Sequence, residues 1–212
     1  MPQTAASKKN RKVVHSKSLP PGRLKIAEAL RSLLEKKDFN SITTAEIART
    51  AGVTEALIYK YFRDKRDLLH QVLAEYFEQY MIQFEKDLKG AKGSLNKIRK
   101  TIWSHINVYS TDRVFAKILL LEVRSNPDYF KSRPYKLVKK YSKIVRDIID
   151  EGMKSGEIRS DLSSSFIEQA IFGCIEYVLL TSIIFNRAFS PDTLTEHLCG
   201  LIFKGIAREK TA

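Results

Sequence analysis

From Arg23 onward, apolar residues recur three and four positions apart and almost nowhere alternate, and prolines and glycines gather at a few breaks. Only a helix lines such residues up on one face, whereas a strand needs a period of two. The chain is therefore expected to be all-α. The first helix is predicted at about 23–36, where Ile26, Ala27, Leu30, Leu33 and Leu34 make one stripe. Two short helices are predicted at about 44–50 and 54–60, and a long one from near Asp64 to about Leu88, stopped by Gly90 and Gly93. Further helices fit about 95–109, 112–124, 134–155, 163–187 and 191–208, with Asn126-Pro127, Gly156 and Ser190-Pro191 at their boundaries.

A chain of 212 residues with 43% hydrophobic residues can bury one or two cores and offset its chain entropy. Its charge is uneven. Residues 1–70 carry 15 Lys and Arg against 7 Asp and Glu, while residues 71–212 carry 22 against 17. A net charge of +13 attracts polyanions, so nucleic acid and anionic membrane both enter as partners. Residues 1–22 hold Lys8, Lys9, Arg11, Lys12 and Lys17 with no acid, and end in Pro20-Pro21-Gly22. This reads as a basic flexible tail, either solubilising or an arm for DNA phosphates or the minor groove. Cys174 and Cys199 make neither a disulfide scaffold nor a metal pair, so no metal and no cofactor are expected. Val13-Val14 is no secretory signal core, which leaves the cytoplasm as the expected location.

Between Ala170 and Phe185 the sole charge is Glu176. A helix apolar around most of its circumference must be covered on more than one side. The segment is read as too short and interrupted to span a membrane. It either runs through the middle of the domain or meets another subunit, and the stripe on the last helix favours the second. A homodimer through a four-helix contact is expected, with Phe166, Ile171, Ile175, Val178, Leu194, Leu198, Leu201 and Ile202 at the interface.

The stretch from Ser41 to Leu69 carries the functional signal. Thr43 with Glu46 three residues on forms a capping box. Gly52 suits the positive φ of a tight turn, and Thr54 stands where it can cap the next helix. Ile58 and Phe62 fall on the buried side; Ala56, Tyr59 and Lys60 point away, flanked by Glu55 and Leu57. A short outward-facing helix after a glycine turn is a helix-turn-helix, whose second helix fits the major groove of B-DNA.

Thr43-Thr44, Ile47-Ala48, Ala51-Gly52-Val53, Tyr59, Tyr61-Phe62, Lys65 and Leu68 together closely resemble the N-terminal signature of the TetR/AcrR family of bacterial transcriptional regulators. Glu151-Gly152, Gly156, Ile158-Arg159 and Asp161 resemble its regulatory domain more loosely, and Arg66 departs from the acidic residue usual after the lysine. The resemblance implies a helix-turn-helix domain at 23–70 and a ligand-binding and dimerisation domain at 71–212. It implies phosphate contacts from Thr44, Tyr59, Tyr61 and Lys65, and places Thr54 at the same DNA surface. Glu55, Ala56, Leu57 and Lys60 are the candidates for base edges: Glu55 for cytosine N4, Leu57 for a thymine methyl, Lys60 for guanine O6 or N7.

The family binds a small molecule in its larger domain. Trp103, Ile106, Tyr109, Phe115, Leu119, Tyr141, Phe172 and Tyr177 are the candidate pocket residues, each of a type that more often serves as plain core. The run Ile118 to Arg124 followed by Asn126-Pro127 resembles the fatty-acid-metabolism branch, which implies a long-chain acyl-CoA as one option for the effector, with Arg113, Lys117 and Arg124 either cations for its phosphates or surface charges. The expected protein is a repressor released from a palindromic operator in double-stranded DNA by a small hydrophobic effector. Its two recognition helices would sit about 34–36 Å apart, with the long fourth helix tilting to change that spacing. Two other classes remain: a sequence-independent nucleic-acid binder, and an all-helical enzyme. Against the enzyme, the sequence has no HExxH, GxSxG or Gly-rich phosphate loop, and His15, His70, His105 and His197 are scattered.

Overall fold

The computed structural model describes residues 19–206; residues 1–18 of the expected tail and the stretch beyond 206 of the last predicted helix lie outside them. Among the described residues every regular element is helical: α1 (Pro21–Leu34), α2 (Thr44–Ala51), α3 (Glu55–Tyr61), α4 (Lys65–Leu88), α5 (Ser94–Thr111), α6 (Arg113–Lys117), α7 (Arg133–Ser155), α8 (Ser164–Ile184) and α9 (Pro191–Ile206). Pro20-Pro21-Gly22 opens α1 rather than ending a tail. Pro21 occupies the first turn, where its missing N–H costs nothing, and the Pro20 carbonyl accepts from the Arg23 and Leu24 amides.

Local chemistry sets the ends of the short helices. Thr43 Oγ1 accepts from the Glu46 amide at 3.1 Å, and Gly52 closes α2 at φ +66°. Asp64 opens α4 by accepting from the Asp67 amide at 2.8 Å. Ile26, Leu30, Ile47, Ile58, Phe62, Leu68 and Leu69 are all buried; α1, α2 and α3 pack on one another, and α1 packs on α4. Farther along, α4 packs on α5 and α7, while α5 lies between α7 and α9.

The helix predicted at 112–124 is instead α6 followed by a π-turn at Ile118–Glu122, and a 3₁₀ segment at Pro127–Lys131 leads into α7. Gly152 lets α7 approach its neighbours: a Cβ there would stand 2.5 Å from Ile158 Cδ1 and 2.7 Å from Ser94 Cβ.

The reading of the 166–185 segment needs correction. At 21 unbroken residues, α8 is long and apolar enough by length and composition to cross a membrane. Its two acids are held inside the fold, Glu168 by Arg146 and Glu176 by Arg124. One side packs against α5, α6, α7 and α9, and the other is open.

Candidate functional site

The outer face of the helix-turn-helix joins the starts of α2 and α3. The Thr44 hydroxyl donates to Glu55 Oε2 at 2.7 Å, and the Tyr59 hydroxyl reaches Thr44 Oγ1 at 3.4 Å. Thr54, Glu55, Ala56 and Lys60 are exposed, and Tyr59 is 55% exposed. Thr54 sits at the N-cap position of α3, but its side chain makes no capping bond there. Thr44, Glu55 and Tyr59 thus present oxygen atoms on a surface edged by Lys60 and Arg63, with no apolar cover over them.

Three expected contacts face elsewhere. Leu57 lies against α1, where a Cβ on Gly22 would be 3.0 Å from Leu57 Cδ2 and 3.6 Å from Tyr61. Leu57 and Tyr61 are one turn apart, so both turn toward α1, half-buried against the core. Lys65 Nζ donates to the carbonyls of Phe39 at 2.9 Å and Ile42 at 2.6 Å and sits 4.4 Å from the Phe39 ring centroid. Burial, with Arg66 beside it, lowers its pKa. Its ammonium ties the loop before α2 to α4. Arg66 lies over the same ring at 5.6 Å.

The second site is an aromatic cavity of about 270 Å³ enclosed by α4 to α8. Of the expected pocket residues it gathers Tyr109, Phe115, Leu119, Tyr141 and Phe172. Three others lie outside its lining. Trp103 is on the far face of α5 and donates to Asp192 Oδ1 at 2.7 Å; Ile106 is wholly buried elsewhere in the core; Tyr177 is 81% exposed. On α5, the cavity face carries His105, Val108 and Tyr109, a different stripe from that of Trp103 and Ile106. Sequence reasoning missed Phe77, Tyr80, His105, Val108, Tyr129, Phe130, Tyr135, Val138, Ser142 and Glu176. Phe77 and Tyr80 are three apart on α4, a helical spacing that does not tell a cavity wall from plain core, and His105 is one of four scattered histidines.

The interior of the cavity is uncharged. Burial drives the His105 imidazole down to about 4, holds Tyr80 up at about 12, and raises Tyr109 and Tyr141 well above the ordinary phenol value. Charge appears in Arg124 and Glu176, joined by two bonds of 2.7 and 2.6 Å between the segment after the π-turn and α8. Of the other expected cations, Arg113 donates to the Ser182 and Arg187 carbonyls and stacks on Phe189, and Lys117 is not in the cavity wall. Among the described residues no group of three or more His, Cys, Asp or Glu could hold a metal ion.

Residues 26–72 match the family described as bacterial regulatory proteins, tetR family, and residues 69–205 match the C-terminal region of YsiA-like proteins. The chain belongs to the tetR family. It is a DNA-binding, ligand-responsive transcriptional regulator of that family, with the helix-turn-helix at α2 and α3. Among its relatives is the fatty acid metabolism regulator protein of Bacillus subtilis, 26% identical over 186 residues, spanning 88% of this chain and 96% of that one. The solved structure of the transcriptional regulator FadR from Bacillus subtilis, in complex with stearoyl-CoA, superposes with a TM-score of 0.79 at 27% identity, over 86% of this chain and 98% of that one. The fatty acid degradation regulator FadR from Bacillus halodurans shares the fold, with a TM-score of 0.78 at 20% identity over 88% and 97% of the two chains.

The expected dimer residues divide. Ile171, Ile175 and Leu198 are buried within the protomer and so cannot form its outer surface; Leu194 and Ile202 are half-buried. Phe166, Val178 and Leu201 are exposed, as are Ala170, Gly173, Tyr177 and Ile184. The open stripe of α8 is displaced from the buried one because that helix is apolar on both sides.

Proposed function

We propose that this regulator is a homodimeric, cytoplasmic repressor that leaves a palindromic operator when a long-chain acyl-CoA enters the cavity of each protomer. The observation that carries the effector is the cavity itself: aromatic walls, no charge inside, and a guanidinium among its lining residues. An acyl chain would transfer its CH₂ groups from water to those walls at roughly 0.8 kcal/mol each, while a phosphorylated head group would stay outside and exchange with Glu176 for Arg124. At about 270 Å³ the cavity is slightly smaller than the roughly 300–1,000 Å³ usual for small-molecule sites. It thus suits a chain with its head left in solvent. The similarity to FadR, solved with stearoyl-CoA, supports the same class of ligand.

On the DNA side, Lys60 and Glu55 are the base-reading candidates and Thr44 and Tyr59 the phosphate contacts, with Thr54 and Ala56 beside them. Lys65 and Tyr61 hold the reading helix in place, and Leu57 packs it on α1. Dimerisation is assigned to the exposed stripe Phe166, Ala170, Gly173, Tyr177 and Val178 with Leu201. Its glycines would let a partner helix approach closely, since added Cβ atoms at Gly173 and Gly200 meet nothing within 4 Å.

The test is a titration of the protein–operator complex, after selecting the operator from random duplex DNA. Hexadecanoyl-CoA should release the DNA and coenzyme A alone should not. Tight hexadecanoyl-CoA binding with unchanged operator affinity would refute the coupling, because only differential affinity for two arrangements can shift them.

A further inference from the structure

Two polar atoms on the cavity wall have no hydrogen-bond partner. His105 Nε2 and the Tyr109 hydroxyl are both shielded from solvent, on residues 8% and 1% exposed. A buried polar group left unpaired costs its full desolvation, so such atoms mark a place where something else is meant to sit. Both residues are on α5 and line the cavity, with their rings edge to face at 4.8 Å between centroids.

A short polar chain reaches the other imidazole nitrogen. The Tyr80 hydroxyl donates to the Tyr141 hydroxyl at 3.1 Å, which in turn lies 3.5 Å from His105 Nδ1. In the arrangement that turns the Tyr141 proton toward Nδ1, the single proton of the neutral imidazole stands on Nε2. Burial keeps that imidazole uncharged at neutral pH. In that tautomer the cavity offers two neighbouring donors, Nε2–H and the Tyr109 O–H, between the apolar walls of Phe115, Leu119 and Phe172. A carboxylate there would have no cation beside it, since the groups around the two atoms are the uncharged Phe115, Leu119, Tyr141 and Phe172. The fitting occupant is an uncharged acceptor oxygen.

We propose that His105 Nε2–H and Tyr109 O–H form a subsite for one carbonyl or hydroxyl oxygen of the effector's acyl group, so that the cavity reads an oxygen atom and not only a hydrocarbon chain. This rests on the acyl-CoA reading above. The oxygen has two possible sources: the thioester carbonyl, or an oxygen substituent on the chain.

The experiment is calorimetric titration of the full-length protein with hexadecanoyl-CoA, the thioether S-hexadecyl-CoA, and the 3-hydroxy and 16-hydroxy forms of hexadecanoyl-CoA, repeated on Tyr109→Phe and His105→Phe. If the subsite takes the carbonyl, the thioether binds the unmodified protein about tenfold more weakly than the thioester. If it takes a chain oxygen, one hydroxy form binds about tenfold more tightly than the plain chain. In either case the difference collapses in the two variants. Probes that bind the unmodified protein with equal affinity overturn the subsite and leave the acyl effector standing. Selectivity that survives in both variants overturns the subsite as well. Binding by none of the probes removes the acyl effector, and the subsite with it. The comparison among probes on the unmodified protein stands even if a variant fails to fold.

Discussion

Arg31, in the last turn of α1, donates to Asp112 Oδ2 at 2.8 Å, and Asp112 is also the residue that caps α6 by accepting from the Phe115 amide at 2.9 Å. The same guanidinium lies 5.7 Å from the Tyr76 ring centroid, and Tyr76 stacks on Phe115 at 4.2 Å. Phe115 lines the cavity. A path of direct contacts thus joins the cavity wall to the helix packed on the reading helix, in addition to the continuous α4. Arg31→Ala is expected to bind operator within about threefold of the unmodified protein while losing most of the release by hexadecanoyl-CoA. Because the pair is partly exposed, its loss should cost less than about 1 kcal/mol of stability. Asp112→Asn, which keeps a capping oxygen, should behave the same way. Operator affinity with and without hexadecanoyl-CoA checks both; full release from both variants would return the coupling to α4 alone.

Lys60 and Lys65 should part company. Lys60 is exposed on the outer face of α3, so Lys60→Ala is expected to leave stability within about 0.5 kcal/mol. It should change sequence preference at one base pair by about 1–3 kcal/mol. Lys65→Ala removes charge-assisted bonds to the Phe39 and Ile42 carbonyls and should cost roughly 2 kcal/mol of folding stability. It should also weaken all DNA sequences alike, by loosening the loop before α2. Thermal unfolding and fragment selection with each variant separate the two roles.

The helix-turn-helix was legible because its signals are local. Thr43 and Gly52 act on backbone a few residues away, and their spacing states the geometry, although the Glu46 carboxylate pairs with Lys37 instead of completing the capping box. The cavity was only partly legible. Helix α5 is packed on more than one side, so Trp103 and His105, two residues apart, face different neighbours although both are on one amphipathic helix. On α8 no charged face exists to say which side is out, so spacing alone puts Ile171 and Ile175 at an interface and Tyr177 in a pocket, whereas the fold buries the first two and exposes the third. The π-turn at Ile118–Glu122 inserts into an apolar run whose composition suits an α-helix equally well. These are tertiary choices, and nothing in local spacing encodes them.

Stability should fall as the pH drops below about 6.5. Buried His105 has its pKa driven from 6.5 to about 4, so between those values the unfolded chain binds a proton that the folded chain refuses. The contribution is complete above about pH 6.5 and declines toward pH 4, by about 3 kcal/mol in all. His70, also lowered by burial, acts in the same direction. Glu46, Glu157 and Asp161, held below their usual range by Lys37, by the Leu95 and Ser94 amides, and by Arg159, lose their contributions only at lower pH. Urea midpoints at pH 7.5, 6 and 5 should fall in that order, and His105→Phe should flatten the slope. An unchanged slope in that variant would mean the imidazole is protonated in the fold.

The open stripe on α8 and α9 gives a simple test of assembly. Leu201 is 71% exposed, so Leu201→Arg has little packing to lose within the protomer. It should move the sedimentation profile from dimer to monomer and lower operator affinity by more than about 100-fold, since one half-site alone loses the second contact. Ile175→Ala, buried on α8, should instead lower the unfolding temperature without changing the assembly.

Gly152 tests the packing that frames the regulatory helices. An alanine there would put its Cβ 2.5 and 2.8 Å from Ile158 Cδ1 and Cγ1 and 2.7 Å from Ser94 Cβ, closer than carbon atoms can stand. Neighbours on two sides must move, so Gly152→Ala is expected to cost about 1–3 kcal/mol even though alanine is the better helix former. Ile158→Ala removes two of the three overlapping atoms but opens a cavity, since Ile158 is 1% exposed. The two changes should therefore be less than additive: the double variant is expected to be no less stable than Ile158→Ala by more than about 1 kcal/mol. Urea unfolding of the three variants measures the coupling, and strictly additive costs would mean that the penalty at Gly152 comes from Ser94 rather than from Ile158.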